Sequence, residues 1–489
     1  MKQIETLSLK KTKGGFRVYL NNRTLEKIGF EAGVGYEEIH EENCVRIVIN
    51  PDSRRKVLDC GRGPLMDLRN KKLGETLPDC ERVSVHYQNG EIVLRVYHHT
   101  KRISDRVKSL INKVKTRKPI RMGELYGGIG LLSKQLHMGL LAAGLSSAMA
   151  FGNELERLPA DVNVNANPIW QETTKDAVFV QDDIMTMDKS LVPQVDCLVV
   201  GYPCTPFSRQ QGGARKRDLD HDAGTLFIPT LDIINRANPA LVILENSDNM
   251  LNSTTLSLMD RVMSATGYYR TETVLNGHDH GDFERRKRLC LVWVSQGLEG
   301  LDISQLAPSC ITPRKVEDIV EPMSLEDSAW RDMSHIAKKD KEGNHNHKMC
   351  VASMGDTTMP TIPATYAKCK ADTPLIAHPE DAGLHRLLTV SEHANVRRMS
   401  GQYKQAVVSI GDGTHHLTTR TNATAAHMML GNAVAPKPWI AVGEHIGNWL
   451  VTAVQPERAV NDAPIESSQY YAASIQTTIE PNGQVALAF

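Results

Sequence analysis

Cys204 is the residue of this chain best placed for covalent chemistry. It sits in Tyr202-Pro203-Cys204-Thr205-Pro206, wedged between two prolines on a loop ahead of a helical stretch. Proline fixes φ and lacks an N–H, so this loop does not offer the thiol an ordinary core position. Such placement favours the thiolate, the nucleophilic form. Gly127-Gly128-Ile129-Gly130 opens a helix, where backbone approaches a ligand closely and the helix N-terminus faces it. Glu154 lies 24 residues past Gly130, where a carboxylate commonly grips ribose hydroxyls. Asp183 can accept a hydrogen bond from an adenine amino group, and Glu245 ends a strongly apolar run. Each signal has a plain alternative: a tight turn, a charge at a helix start, a solvated cap, a buried structural cysteine. Whether they act together depends on the elements that carry them.

From Ile120 to about Val294 apolar segments alternate with amphipathic helical ones. Strands are predicted at 120–126, 147–153, 177–181, 196–202, 240–246, 271–276 and 289–294, with a helix between the first two. That rhythm predicts an α/β fold with a doubly wound, mainly parallel sheet of seven strands. Ligands bind such sheets in the crevice at the carboxyl ends of the strands. Five successive strand ends here offer the glycine turn, Asn153-Glu154, Asp182-Asp183, Pro203-Cys204 and Glu245-Asn246 to one crevice.

The flanking regions read differently. The first hundred residues form a small β-rich unit, with strands at 16–20 and 45–49 and a hairpin of 82–87 with 92–97 about Asn89-Gly90, a two-residue turn sequence. A helix is predicted over 103–114, and the basic run Lys113–Pro119 reads as a solvated linker. Residues 297–384 lose the strand–helix rhythm, and helical periodicity returns from Arg386 to Leu450. The residues from Gln455 are polar and weakly patterned, which predicts a loose tail. His345, His347 and Cys350 lack a fourth spaced ligand, so a polar loop is preferred there to a metal.

Composition bounds the function classes. The 489 residues contain 41% hydrophobic and 23% charged side chains, ordinary for a globular protein of several domains. The 57 Lys and Arg balance 57 Asp and Glu, so any nucleic-acid surface must be a local patch. Nine cysteines without a CxxC pair argue against a disulfide framework or a zinc ribbon. No apolar run approaches a membrane span and no signal-peptide core begins the chain, so a cytoplasmic location with no membrane partner is expected.

The segments ELYGGIG (124–130), GYPCTPFS (201–208), ILENS (243–247), ERRKRL (284–289) and GNAVAP (431–436) resemble, in order and spacing, the signature blocks of the cytosine-C5 DNA methyltransferases. NEL (153–155), DDI (182–184), HDAGTLF (221–227) and RLLTVSE (386–392) add to the resemblance, which spans about 120–450. It implies S-adenosyl-L-methionine (AdoMet) as cofactor, with Tyr126 near the adenine, Gly128 and Gly130 admitting the methionine moiety, Glu154 on the ribose, Asp183 and Ile184 reading the adenine, and Asn432 beside the cofactor. It makes Cys204 the nucleophile on a cytosine flipped out of duplex DNA, held by Glu245, Arg286 and Arg288. A mobile loop after Cys204 would contact DNA through Ser208, Arg209, Gln210, Arg215, Lys216 and Arg217.

The domain order this implies is a β-rich unit at 1–112, an AdoMet-binding catalytic domain at 113–296, a target-recognition lobe at 297–384, a catalytic return at 385–454 and a tail at 455–489. Thr205, Ser247, Glu284 and Asn395 depart from the family pattern, which mostly has Gln, Val, Gln and often Arg there; this bears on pocket packing, not on the reaction class. The stretch from Arg17 to Ile39 also resembles the swapped-hairpin fold of bacterial transition-state regulators; a β-rich appendage is the other reading. The expected activity is DNA cytosine-C5 methylation in a restriction–modification or orphan phage system, with a cognate restriction endonuclease as potential partner. Two rivals remain: an RNA cytosine as substrate, and a DNA-binding regulator with an inactive methyltransferase half.

Overall fold

The computed structural model describes residues 3–21, 23–78, 80–171, 173–208, 217–309, 314–341, 349–370, 373–454, 476–479 and 485–488. The chain folds as two compact units, Met1–Asp105 and Arg106–Phe489.

The first unit contains strands β1 (Gln3–Ser8), β2 (Lys10–Thr12), β3 (Gly15–Leu20), β4 (Tyr36–Glu41), β5 (Cys44–Ile49), β6 (Leu58–Asp59), β7 (Pro64–Asn70), β8 (Arg82–Gln88) and β9 (Glu91–Val96), with short helices α1 (Thr24–Lys27) and α2 (Lys72–Thr76). They form two sheets, ordered β1-β8-β9-β5-β4 and β2-β3-β7-β6. The Asn89-Gly90 hairpin forms as expected, with Gly90 at φ 71°. Val18, Leu20, Met66, Leu68, Val83, Val85, Ile92 and Leu94 alternate inward, as strands with one buried face require, and make the core of the unit.

Helix α3 (His98–Thr116) begins before and ends after the expected limits, so most of the basic run is helix and not linker. The physical reason is anchorage. Arg106 is buried and donates to Ser295 Oγ (2.7 Å) and to the Gly267 carbonyl (2.6 Å), while Leu110 and Val114 enter the core of the second unit. Lys113 pairs with buried Asp196. The division at Asp105 thus falls before the expected boundary at 112.

The second unit is organised on β10 (Ile120–Leu125), β11 (Ser147–Glu154), β12 (Thr173–Gln181), β13 (Cys197–Gly201), β14 (Leu241–Asn246), β15 (Tyr268–Asn276), β16 (Glu284–Arg285) and β17 (Lys287–Ser295). Seven of these form one sheet ordered β12-β11-β10-β13-β14-β17-β15; β17 runs antiparallel to both neighbours and the rest are parallel. β11 and β14 are buried along their whole length, as strands covered on both faces are. α4 (Leu131–Ala142), α5 (Arg157–Ala166), α6 (Phe227–Ala237) and α7 (Thr254–Ala265) connect the strands. The order reverses between β10 and β13, which opens a crevice at their carboxyl ends.

Residues 297–384 carry short strands β18 (Arg331–Asp332), β19 (Cys350–Ala352), β20 (Met359–Pro360), β21 (Pro374–Ala377) and β22 (Leu384–Arg386) and helix α8 (Ser334–Lys341). Phe283, Val316, Trp330, Met359, Tyr366 and Leu388 gather in a second core there. The chain returns through α9 (Val390–Val396), α10 (Gly401–Asp412), α11 (Ala423–Asn432) and α12 (Pro436–Val454), the last packed on α4. In the tail, Gln476–Ile479 pairs antiparallel with Val485–Ala488. His345 and His347 lie outside the described residues.

Candidate active site

The crevice at the switch point holds a cavity of about 360 Å³, lined by Tyr126, Gly128, Glu154, Asp183, Ile184, Cys204, Glu245 and Asn432 among others. The residues singled out at five strand ends therefore meet around one space. Gly127 and Gly128 form its floor. A Cβ on Gly127 would come within 2.9 Å of Glu124 and Asn163, and Gly128 has φ 54°. Gly128 N donates to Glu154 Oε2 (2.7 Å), and Glu156 N donates to Oε1 (2.9 Å). Burial raises the Glu154 carboxyl above its ordinary range against those donors. Gly130 stands behind the wall as N-cap of α4 at φ 77°, pressed against Asn163. Tyr126 follows β10 in the left-handed region (φ 54°), and its hydroxyl meets Thr230 Oγ1 at 2.8 Å.

The other end of the cavity lies between β13 and β14. Cys204 is half-buried and begins the 3-10 turn Thr205–Phe207, its carbonyl accepting from Phe207 N (3.0 Å). Gly201 pairs with Glu245 in register, and Asn246 Nδ2 donates to the Tyr202 carbonyl (3.0 Å), so the two loops leave the sheet side by side. Burial pushes the Glu245 carboxyl up, against the pull of Arg288 and Arg286. Arg288 reaches the site through Glu245, Nε to Oε1 at 2.8 Å. Arg286 is buried, donates to the Gly431 carbonyl (2.8 Å), and keeps a buried Nε with no partner among the described residues.

Behind these arginines lies a buried knot that sequence reading misses. Glu284 pairs with Arg397, receives Ile362 N (2.6 Å) and stands 3.5 Å from Arg286. Burial works to raise its carboxyl, but Arg397 and Arg286 outweigh it and hold it below the ordinary range. Gly431 sits against the Pro363-Ala364 backbone, where a Cβ would approach to 2.6 Å. Asn395 donates to the Ile319 carbonyl (2.9 Å) and accepts from Lys404 (2.8 Å). Ser247 Oγ is buried without a partner among the described residues. Glu124, beneath the glycine turn, accepts from Ser133 (2.6 Å) and Asn163 (2.7 Å) and lines the cavity; a lone carboxylate inside an apolar strand was its signal.

Of the expected DNA loop, Arg209, Gln210, Arg215 and Lys216 lie outside the described residues. Ser208 and Arg217 frame it. Upstream, Asn249 donates to the Phe207 carbonyl (2.9 Å); downstream, Asp218 caps the start of α7, accepting from Thr255 N (3.1 Å) and Thr255 Oγ1 (2.6 Å). Among the described residues one cluster has metal-ligand types, Asp161 with His415 and His416, each Nε2 at 3.2 Å from an Asp161 oxygen. Leu417 N donates to His415 Nδ1 (3.2 Å), so the neutral ring carries its proton on Nε2, toward Asp161. That arrangement is a hydrogen-bonded knot and not a vacant ligand set.

Comparison with known proteins agrees with this geometry. The chain is similar to the type II methyltransferases M.Bsp6I of Bacillus sp. (29% identity over 177 residues, 35% of this chain and 51% of that one) and M.MspI of Moraxella sp (24% over 279 residues, 56% and 61%). It thus spans about half the length of these curated relatives. Its fold is similar to that of the S. pombe Dnmt2 methyltransferase, with a TM-score of 0.51 at 14% identity, over 69% of this chain and 99% of that one. The cofactor of this fold is AdoMet, and the glycine floor and buried Glu154 suit it, because close backbone and a ribose-binding carboxylate are what a nucleoside needs. The model of the C-5 cytosine-specific DNA methylase family matches residues 121–448, and the chain belongs to that family.

Proposed function

We propose that the chain methylates C5 of cytosine in double-stranded DNA through a transient bond between Cys204 Sγ and C6 of the ring. The observation that supports this most is the placing of Cys204 and Glu245 on one cavity wall, with the glycine floor and Glu154 at its other end. C5 of cytosine is a poor nucleophile. Addition of the Cys204 thiolate to C6 breaks the aromaticity of the ring and gives an enamine. Glu245, whose carboxyl burial raises, donates to N3 in its protonated form and neutralises the charge that develops there. The Gly127-Gly128 turn, Glu154, Asp183, Ile184 and Asn432 would hold AdoMet, which when bound would supply the methyl group to C5 and leave as S-adenosylhomocysteine. Loss of the C5 proton to a base, with return of the N3 proton to Glu245, then expels Cys204 as thiolate.

None of this is possible in a stacked duplex, so the base is extruded at a cost of a few kcal/mol. Arg288, tied to Glu245, keeps that carboxyl directed at the ring edge, and Arg286 holds the same wall through Gly431. Residues 297–384, with their own core, serve as the target-recognition lobe reading the major groove. Ser208, Arg209, Gln210, Arg215, Lys216 and Arg217 contact the DNA, the last three through phosphates. Relatives named type II methyltransferases support a modification role with a cognate endonuclease or as an orphan enzyme.

An oligonucleotide duplex with 5-fluorocytosine at the target position tests this. It should leave a stable adduct with the chain in the presence of AdoMet, and none with Cys204→Ser. Absence of an adduct with a folded preparation, on DNA methylated by no other route, overturns the covalent mechanism. Transfer of labelled methyl to tRNA and not to duplex DNA would make RNA the substrate instead.

A further inference from the structure

The first unit is built twice from one pattern. β2-β3-α1-β4-β5 is repeated by β6-β7-α2-β8-β9, with Leu25 and Leu73 buried at the same place in each helix. The pairing is two-fold. β3 pairs antiparallel with β7, and Tyr19 faces Asp67, its own counterpart in the other half. β5 pairs antiparallel with β9, and there the pair Val45–Leu94 is exchanged with the pair Arg46–Val93. β2 and β6 flank the β3–β7 pair in the same way. The unit is therefore a pair of like halves joined in one chain, which leaves each half free to diverge.

They have diverged on the outer face of the β2-β3-β7-β6 sheet. Val18, Leu20, Met66 and Leu68 face inward, so Arg17, Tyr19, Asp67 and Arg69 face out. The registers place Lys10 beside Arg17 and Arg17 beside Arg69, three cations in a row across three strands. In the other half the equivalent positions are Leu58, Leu65 and Asn21. Arg17 is engaged by Asp67 (2.7 and 2.6 Å) and lies 4.1 Å over the half-exposed Tyr19 ring. Lys10 and Arg69 have no hydrogen bond or ion pair among the described residues. Lys11, Lys13, Arg62 and Lys71 are also exposed in this unit, as are the carboxylates Asp59 on β6, Glu26 on α1, and Glu37, Glu41 and Glu42 on the β4–β5 hairpin. Asp67 offsets part of the repulsion between like charges opposed across the strands, and a polyanion relieves the rest.

We propose that this face is a second DNA-contacting surface, in which Lys10, Arg17 and Arg69 bind the phosphates of duplex DNA without regard to sequence. The proposal rests on the DNA reading given above. It makes the tandem halves an anchor that raises the time the chain spends on DNA, separate from the chemistry at Cys204.

Binding of the full chain to a short non-specific duplex, read by fluorescence anisotropy over a salt series, tests it. Replacing Lys10→Gln together with Arg69→Gln should weaken binding about tenfold at low salt and lower the log–log salt slope by about 2, as loss of two phosphate contacts does. Leu58→Gln, at the equivalent place in the other half, should change neither. The double variant should melt at the same temperature or higher, because repulsion is relieved; a purely structural role would lower it. The proposal falls if affinity and slope match those of the unsubstituted chain, if Leu58→Gln has the same effect, or if the face binds RNA or an acidic polypeptide more tightly than duplex DNA. Methylation of saturating DNA is measured separately on both chains. Its loss in the unsubstituted chain would sink the earlier reading alone, since the salt slope needs no turnover.

Discussion

Glu245 at the end of β14 and Glu284 in the knot behind it are both buried, and both lie near Arg286. Yet burial prevails at Glu245 and raises its carboxyl, while at Glu284 the cations prevail and lower it. The difference is in the partners. Among the described residues Glu245 has one ion pair, with Arg288, and it lines the cavity. Glu284 has Arg397 and Arg286 beside it and a backbone N–H from Ile362. The under-compensated carboxylate takes up a proton more readily; the fully compensated one serves as a fixed anion that ties chain segments together.

The largest test of that contrast is Glu245→Gln. It should lower the single-turnover methylation rate by about 10²–10⁴-fold while leaving the melting temperature unchanged or higher, since a neutral amide removes a group that burial disfavours as an anion. Glu284→Gln should do the reverse. Leaving Arg397 buried beside a neutral group costs about 3–5 kcal/mol in denaturant unfolding, with little change in the rate of the folded fraction. If the two variants are equally stable, the contrast is broken.

Titration sharpens it further. Glu284, lowered on folding, gives stability that is present above the unfolded carboxyl value of about 4.3 and is lost as pH falls. Glu245, raised on folding, gives stability present below about 4.3 and lost as pH rises through its folded value, and methylation should decline over that same upper limb. Unfolding free energies of the chain and each variant across pH should therefore differ with opposite slopes. The smallest effect is expected from Glu154→Gln. Its carboxyl is also raised, but it binds backbone N–H groups, so AdoMet affinity by calorimetry should fall about tenfold, or about 1.4 kcal/mol, with the saturated rate kept.

Much of the second unit was legible because its strands are unbroken apolar runs that end in polar residues. Pro203-Cys204 and Glu245-Asn246 could be placed at adjacent strand ends from that pattern alone. Glu284 was visible only as a departure from the family pattern, since its partner Arg397 lies 113 residues away and no periodicity links them. Lys113 and Lys115 read as linker because a basic run carries no sign of the buried Asp196 that Lys113 meets. The tandem repeat of the first unit was likewise hidden. Its halves share burial positions such as Leu25 and Leu73 but few identities, and the two-fold becomes evident only in paired registers.

The contact of Gly431 with Ala364 has a practical consequence. One peptide carbonyl steadies Arg286, while the hydrogen that stands for the Gly431 side chain lets the loop at Pro363-Ala364, within 297–384, pass at close range. Any exchange of that region for one from another enzyme must keep the stretch from Met359 to Tyr366 native. A splice inside it would shift the arginine along with the graft and misalign the wall of the cavity.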